Sequence, residues 1–187
     1  MTIQTIEAAG GSRRGTALLI TSRDEVDRYV SALRRANERT VAAIRAIECP
    51  QEAMRRLKFE TIGFHPVEDR PLNAIEQINQ TFTYLVALKA TEWLLERHPE
   101  AGGFMVAPGA DASQRLDIMS SEPDLVGAET FAAVDPRNNR KIHKDLAKLA
   151  VDPSRFRYSF FYAPGFAPGR VLSFERGDGV EVHCVAI

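Results

Sequence analysis

Residues 116–148 read LDIMSSEPDLVGAETFAAVDPRNNRKIHKDLAK, and a change of period halfway along that stretch decides the fold. Two apolar-rich segments, residues 115–120 and 125–134, flank a Ser-Ser-Glu-Pro-Asp turn, which is the pattern of a β-hairpin. Each arm carries one acid, Asp117 on the first and Glu129 on the second. Their neighbours Leu116, Ile118, Val126 and Phe131 place both acids near mid-strand, partly buried. After a helix-start signal at Asp135-Pro136 the spacing turns helical. Ile142, Leu146 and Leu149 form an apolar stripe, while Lys141, Lys144 and Lys148 share another face. The aromatic segment at 155–162 then reads as a central strand.

Working outward, FMVAPG at 104–109 is a strand, and Asn73 caps a helix that runs to about Arg97 and stops before His98-Pro99. Ile75, Ile78, Phe82, Leu85, Val86, Trp93 and Leu94 give that helix an apolar face suited to lying on a sheet. Upstream, Thr21 or Ser22 caps one long helix with Asp24 and Glu25 in its first turn, continuing to Cys49-Pro50. Residues 51–57 add a further helical turn, and 65–71 form a connector. Residues 1–15 read as a loose terminus, 111–114 as a loop, and 171–175 with 180–187 as a closing hairpin around Gly177-Asp178-Gly179. The expectation is an α/β fold, a mixed central sheet flanked by helices, with a helical extension over 1–70 and a core domain over 71–187. The long N-terminal helix can pair with a copy of itself, making a homodimer, or fold back on the sheet.

A chain of 187 residues, 44% hydrophobic, can bury one sizeable core. Its apolar runs are too short for a membrane span, and no secretory signal precedes Arg13 and Arg14. Cys49 and Cys184 lack metal-ligand spacing and read as free thiols in a reducing cytoplasm. A net charge of -1 argues against a general nucleic-acid coat. Locally the balance differs, because Arg137, Arg140, Lys141, Lys144 and Lys148 outnumber Asp135 and Asp145 right beside the hairpin acids. The four histidines share no common spacing, and the glycine pairs lack that of a phosphate loop.

Buried acids need a charge partner or a metal, or they take up a proton. Two acids on adjacent strands, followed at once by a lysine-bearing helix, can hold a hard cation such as Mg2+ or Mn2+ against a phosphate.

That order of elements, with eleven residues between Asp117 and Glu129, resembles the PD-(D/E)XK nuclease-like superfamily of restriction-endonuclease fold. The resemblance covers residues 73–187. It implies a metal-dependent nuclease with Glu76, Asp117 and Glu129 as metal ligands, Glu76 coming from the first core helix. Gln80, Asn139, Arg140 and Lys148 would contact the substrate, a nucleic acid and DNA ahead of RNA. This sequence departs from the motif at one position: the lysine that should follow Glu129 by two residues is Phe131. Migration of that lysine to the next helix would give its role to Lys141 or Lys144, joining Asp117 and Glu129 as catalytic residues. Loss of the role would leave a silent domain that binds nucleic acid or protein through its basic helix. An unrelated α/β binding domain is the third expectation.

Overall fold

The computed structural model describes residues 17–108 and 114–187. Residues 1–15 and most of the 111–114 loop lie outside them. Strand β1 (Leu18–Ile20) leads into helix α1 (Arg23–Arg45). Ser22 is its cap: the Ser22 hydroxyl accepts the Glu25 N–H, and the Glu25 carboxylate reaches back to accept the Thr21 N–H at 2.7 Å. The helix ends short of Cys49-Pro50 because Pro50 starts a second one, α2 (Pro50–Phe59). Proline suits a first helical turn, where its missing N–H costs nothing. Two short strands, β2 (Gly63–Phe64) and β3 (Pro71–Leu72), then pair with each other.

Helix α3 (Ala74–Arg97) starts where Asn73 caps it, the side chain accepting the Glu76 N–H at 2.8 Å. Its C-terminal half buries the expected Val86 and Leu94, with Trp93 packed on the same core, but its N-terminal half turns another face inward. Ile75, Ile78 and Phe82 are exposed, while Gln77, Thr81, Tyr84, Leu88 and Leu94 are buried. The reason is polar. Gln77 accepts the Phe64 N–H at 2.7 Å, accepts the Thr40 hydroxyl of α1, and donates to Asn37 at 3.2 Å. A fully paired amide can be buried, so the helix seats α1 on its Gln77–Thr81 side.

A seven-stranded sheet follows the order β1-β4-β5-β6-β7-β9-β8, with β4 Phe104–Val106, β5 Ile118–Ser120, β6 Val126–Ala132, β7 Phe156–Tyr162, β8 Gly169–Arg170 and β9 Val180–Cys184. Strands β1, β4, β5 and β6 run antiparallel in turn, and β7 lies parallel to β6 across helix α4 (Lys141–Ala150). The expected mixed sheet flanked by helices is present. The closing hairpin differs: residues 172–174 form a 3-10 turn, and β9 runs parallel to β7 with only Gly169–Arg170 turned back against it. Phe166 and Phe174 spend themselves on Phe161 instead of on strand pairing.

The two faces alternate with period 2. Val126, Ala128, Tyr158 and Phe160 join the cluster that holds Leu88 and Leu94 of α3. Phe131, Phe161, Val180 and Val182 join Ile142, Leu146 and Leu149 of α4. The two helices therefore cover opposite faces. The first cluster also takes Leu18, Ile20, Val26 and Leu33, all from before residue 70, while Val41 of α1 stays exposed.

Candidate functional site

The antiparallel register that pairs Ile118 with Ala128 brings Asp117 opposite Glu129, one step beyond the last ladder pair. Residues directly opposite in such a pair share a face. Glu129 has the parity of Phe131, so that face is the one α4 covers. Asp117 is not mid-strand as expected but just ahead of β5. Leu116 leaves the ladder there because Gly127 gives it room: a Cβ at residue 127 would lie 2.5 Å from the Leu116 Cδ1. With no ladder partner from residue 116, the Asp117 carboxylate takes over, accepting the Thr130 N–H at 2.9 Å and its hydroxyl at 3.0 Å.

Helix α4 starts later than Asp135-Pro136 suggested. Asp135 accepts the Arg137 N–H at 2.8 Å, a 3-10 turn covers Asn138–Arg140, and Asn139 and Arg140 take left-handed conformations (φ 53° and 56°). Only then does the helix begin. Ile142, Leu146 and Leu149 are fully buried, worth about 2 kcal/mol each, so the helix is held against rotation. Its lysine face consequently looks onto the two strand acids. Lys148 donates to Glu129 at 2.5 Å, and Lys141 donates to Asp145 at 2.6 Å.

Asp117, Glu129 and Asp145 line one cavity of about 690 Å3 with Lys141, Lys144 and Lys148, Asn138 and Asn139 at the approach to α4, and Thr83 of α3. Burial pushes the Asp117 carboxyl above its ordinary range, against the two hydrogen bonds from Thr130. Burial and then the charge of Asp117 push Glu129 up, against the pull of Lys148. Burial raises Asp145 to about 6, opposed by Lys141. Desolvation thus outweighs the pairing at all three acids.

No family model, curated protein or solved structure matches the chain.

Among the sequence-derived site residues, the structure brings Asp117, Glu129, Lys141, Lys144, Lys148 and Asn139 to one cavity. Glu76 and Gln80 are not on its lining: Glu76 is exposed in the first turn of α3, and the helix reaches the cavity one turn beyond Gln80, at Thr83. Arg140 is exposed and also off the lining. His143 meets Arg176 at 2.7 Å. The residue that sequence reasoning missed is Asp145, read only as a charge to be counted. Its signal was position, since it falls three residues after Ile142 and four before Leu149, on the stripe that α4 buries.

The donor set is right in kind for a hard cation, which prefers carboxylate oxygens and needs only one or two beside its water. Among the described residues no three His, Cys, Asp or Glu side chains stand together as a group that could hold a metal ion. Two other cavities, one of about 570 Å3 between α1 and α3 and one of about 400 Å3 beside Trp93 and His183, hold no buried acid lacking a hydrogen-bond partner. No helix among the described residues is long and apolar enough to cross a membrane.

Proposed function

We propose that this domain is a metal-dependent phosphodiesterase acting on nucleic acid, DNA ahead of RNA. What supports the reading is one observation: Asp117 and Glu129 stand opposite each other on the face that α4 covers, in one cavity with three lysines of that helix. Asp117 and Glu129 would hold the Mg2+ or Mn2+ ion. When bound, such an ion neutralises charge growing on the scissile phosphate and lowers the pKa of a bound water. Glu76 lies off the lining and is dropped from this ligand set. Lys144 is exposed on the cavity and has no ion pair among the described residues, so it is the first cation an incoming phosphate meets. Lys141 stands 5.5 Å over the ring of Phe131, close to where the motif lysine would project, and takes that lysine's place beside the scissile phosphate. Asn139, on the lining, offers a further side-chain donor to a phosphate oxygen.

A second reading has its own support. Phe131 is buried and stacks on Phe161 at 5.7 Å, so the motif position is committed to the core. A silent domain that binds nucleic acid through Lys141, Lys144 and Lys148 would look the same. Cleavage of labelled single- and double-stranded DNA and RNA with Mg2+ or Mn2+, for the native chain and for Asp117→Asn and Glu129→Gln, separates the two. Hydrolysis that needs the cation and both acids is the expected result. Binding that persists with no hydrolysis would establish the silent domain instead.

A further inference from the structure

Neither reading above uses Asp145. It sits where the packing of α4 would take an apolar residue, between Ile142 and Leu149, and only 3% of it is exposed. Its Oδ1 accepts the Lys141 ammonium at 2.6 Å. Its Oδ2 is buried without a hydrogen-bond partner among the described residues. The lysine therefore compensates only half of this carboxylate, and the carboxyl stays high, at about 6. Lys148 treats Glu129 in the same way, one ammonium on one oxygen. Each ammonium occupies an oxygen that a hard cation would take, in the cavity that all three acids line.

We propose that Asp145 is the third carboxylate of the cation site, and that Lys141 stands in for the cation in the cation-free protein. The inference rests on the phosphodiesterase reading and deepens it. A monovalent ammonium on a flexible stem is a weaker partner for clustered carboxylates than a compact divalent ion, so the incoming cation displaces it. Lys141 is then free in a cavity shared with Lys144 and Asn139, where a phosphate oxygen is its next available partner. Cation binding thereby delivers a phosphate-binding group.

The test is calorimetric titration of Mn2+ into the full chain, with thermal melts, for the native protein, Asp145→Asn, Lys141→Met and Asp117→Asn. Asp145→Asn keeps the size of the side chain and should weaken Mn2+ binding about tenfold or more. Lys141→Met should do the reverse: it tightens Mn2+ binding, lowers the melting temperature without Mn2+, and regains it when Mn2+ is added. Asp145→Asn binding Mn2+ as tightly as the native chain, while Asp117→Asn does not bind, would sink the assignment and leave the two-acid reading standing. Weaker binding in Lys141→Met would overturn the stand-in role independently of how Asp145→Asn folds. A native chain that takes up no Mn2+ would remove both the inference and the reading beneath it.

Discussion

Two buried polar clusters in this molecule are built on opposite terms. Between α1 and α3, Gln77 has each end of its amide occupied, by Thr40 and the Phe64 N–H on the oxygen and by Asn37 on the nitrogen, and Thr81 also donates to Asn37 at 3.0 Å. Under α4, three carboxylates are buried together, their pKa values pushed upward, and one oxygen of Asp145 has no partner among the described residues. A satisfied network fixes which helix face meets which. An unsatisfied one costs stability wherever it occurs, and such groups concentrate at functional sites. The first cluster is read here as structure and the second as chemistry.

The sharpest way to break that distinction is kinetic. Replacing Asp117 or Glu129 with its amide should abolish cation-dependent hydrolysis while the melting temperature holds or rises, since each substitution removes a desolvated charge. A fall in melting temperature with full hydrolysis would make the cavity structural. The opposite test belongs to the other cluster. Gln77→Leu leaves the part-buried Phe64 N–H without its acceptor, which costs about 1–3 kcal/mol, and should lower the melting temperature by roughly 2–12 °C at no loss of catalytic rate.

The same contrast explains what the sequence could reveal. The hairpin, the lysine face of α4 and Glu129 within its strand were legible because each rests on a period, of 2 or of 3.6, that a short stretch displays by itself. The buried side of α3 was legible at Val86, Trp93 and Leu94 but not in its N-terminal half. Apolarity pointed to Ile75, Ile78 and Phe82, but Gln77 and Thr81 found partners on α1, and hydrogen bonding between distant segments leaves no local trace. Asp145 was hidden for a related reason, since Lys141 four residues earlier makes an ordinary surface ion pair of it until the helix is docked. The membership of β1 in the sheet was equally invisible, because Leu18–Ile20 is too short to show alternation and acquires its place from β4.

A smaller effect should appear in pH dependence. A carboxyl at about 6 in the folded chain, against the ordinary 3.8, binds its proton more tightly when folded. Its stabilising contribution is present below about pH 4 and is lost as pH rises through 6. Asp145→Asn cannot titrate, so its advantage over the native chain without added cation should grow from pH 4 to pH 8. A gain of a few degrees at pH 8 is the expected size. Asp117 and Glu129 shift in the same direction, so a pH-independent difference would mean that Lys141 compensates Asp145 fully and that this cluster is as well satisfied as the one around Gln77.

The faintest effects separate the lining of the cavity from its surroundings. Lys144 is exposed and carries no ion pair among the described residues, so Lys144→Ala should leave the fold alone, weaken nucleic-acid binding across sequences, and reduce the slope of log affinity against log salt by about 1. Glu76 is also exposed but off the lining, and Glu76→Ala should change stability by less than about 0.5 kcal/mol and hydrolysis not at all. Both are exposed charged residues, and the structure distinguishes them only by the cavity that Asp117 and Glu129 share with α4. If Glu76→Ala lost hydrolysis while Lys144→Ala kept its salt slope, the binding surface would have to run along the first turn of α3. The acids under α4 would then be unsatisfied for some reason other than the chemistry assigned to them.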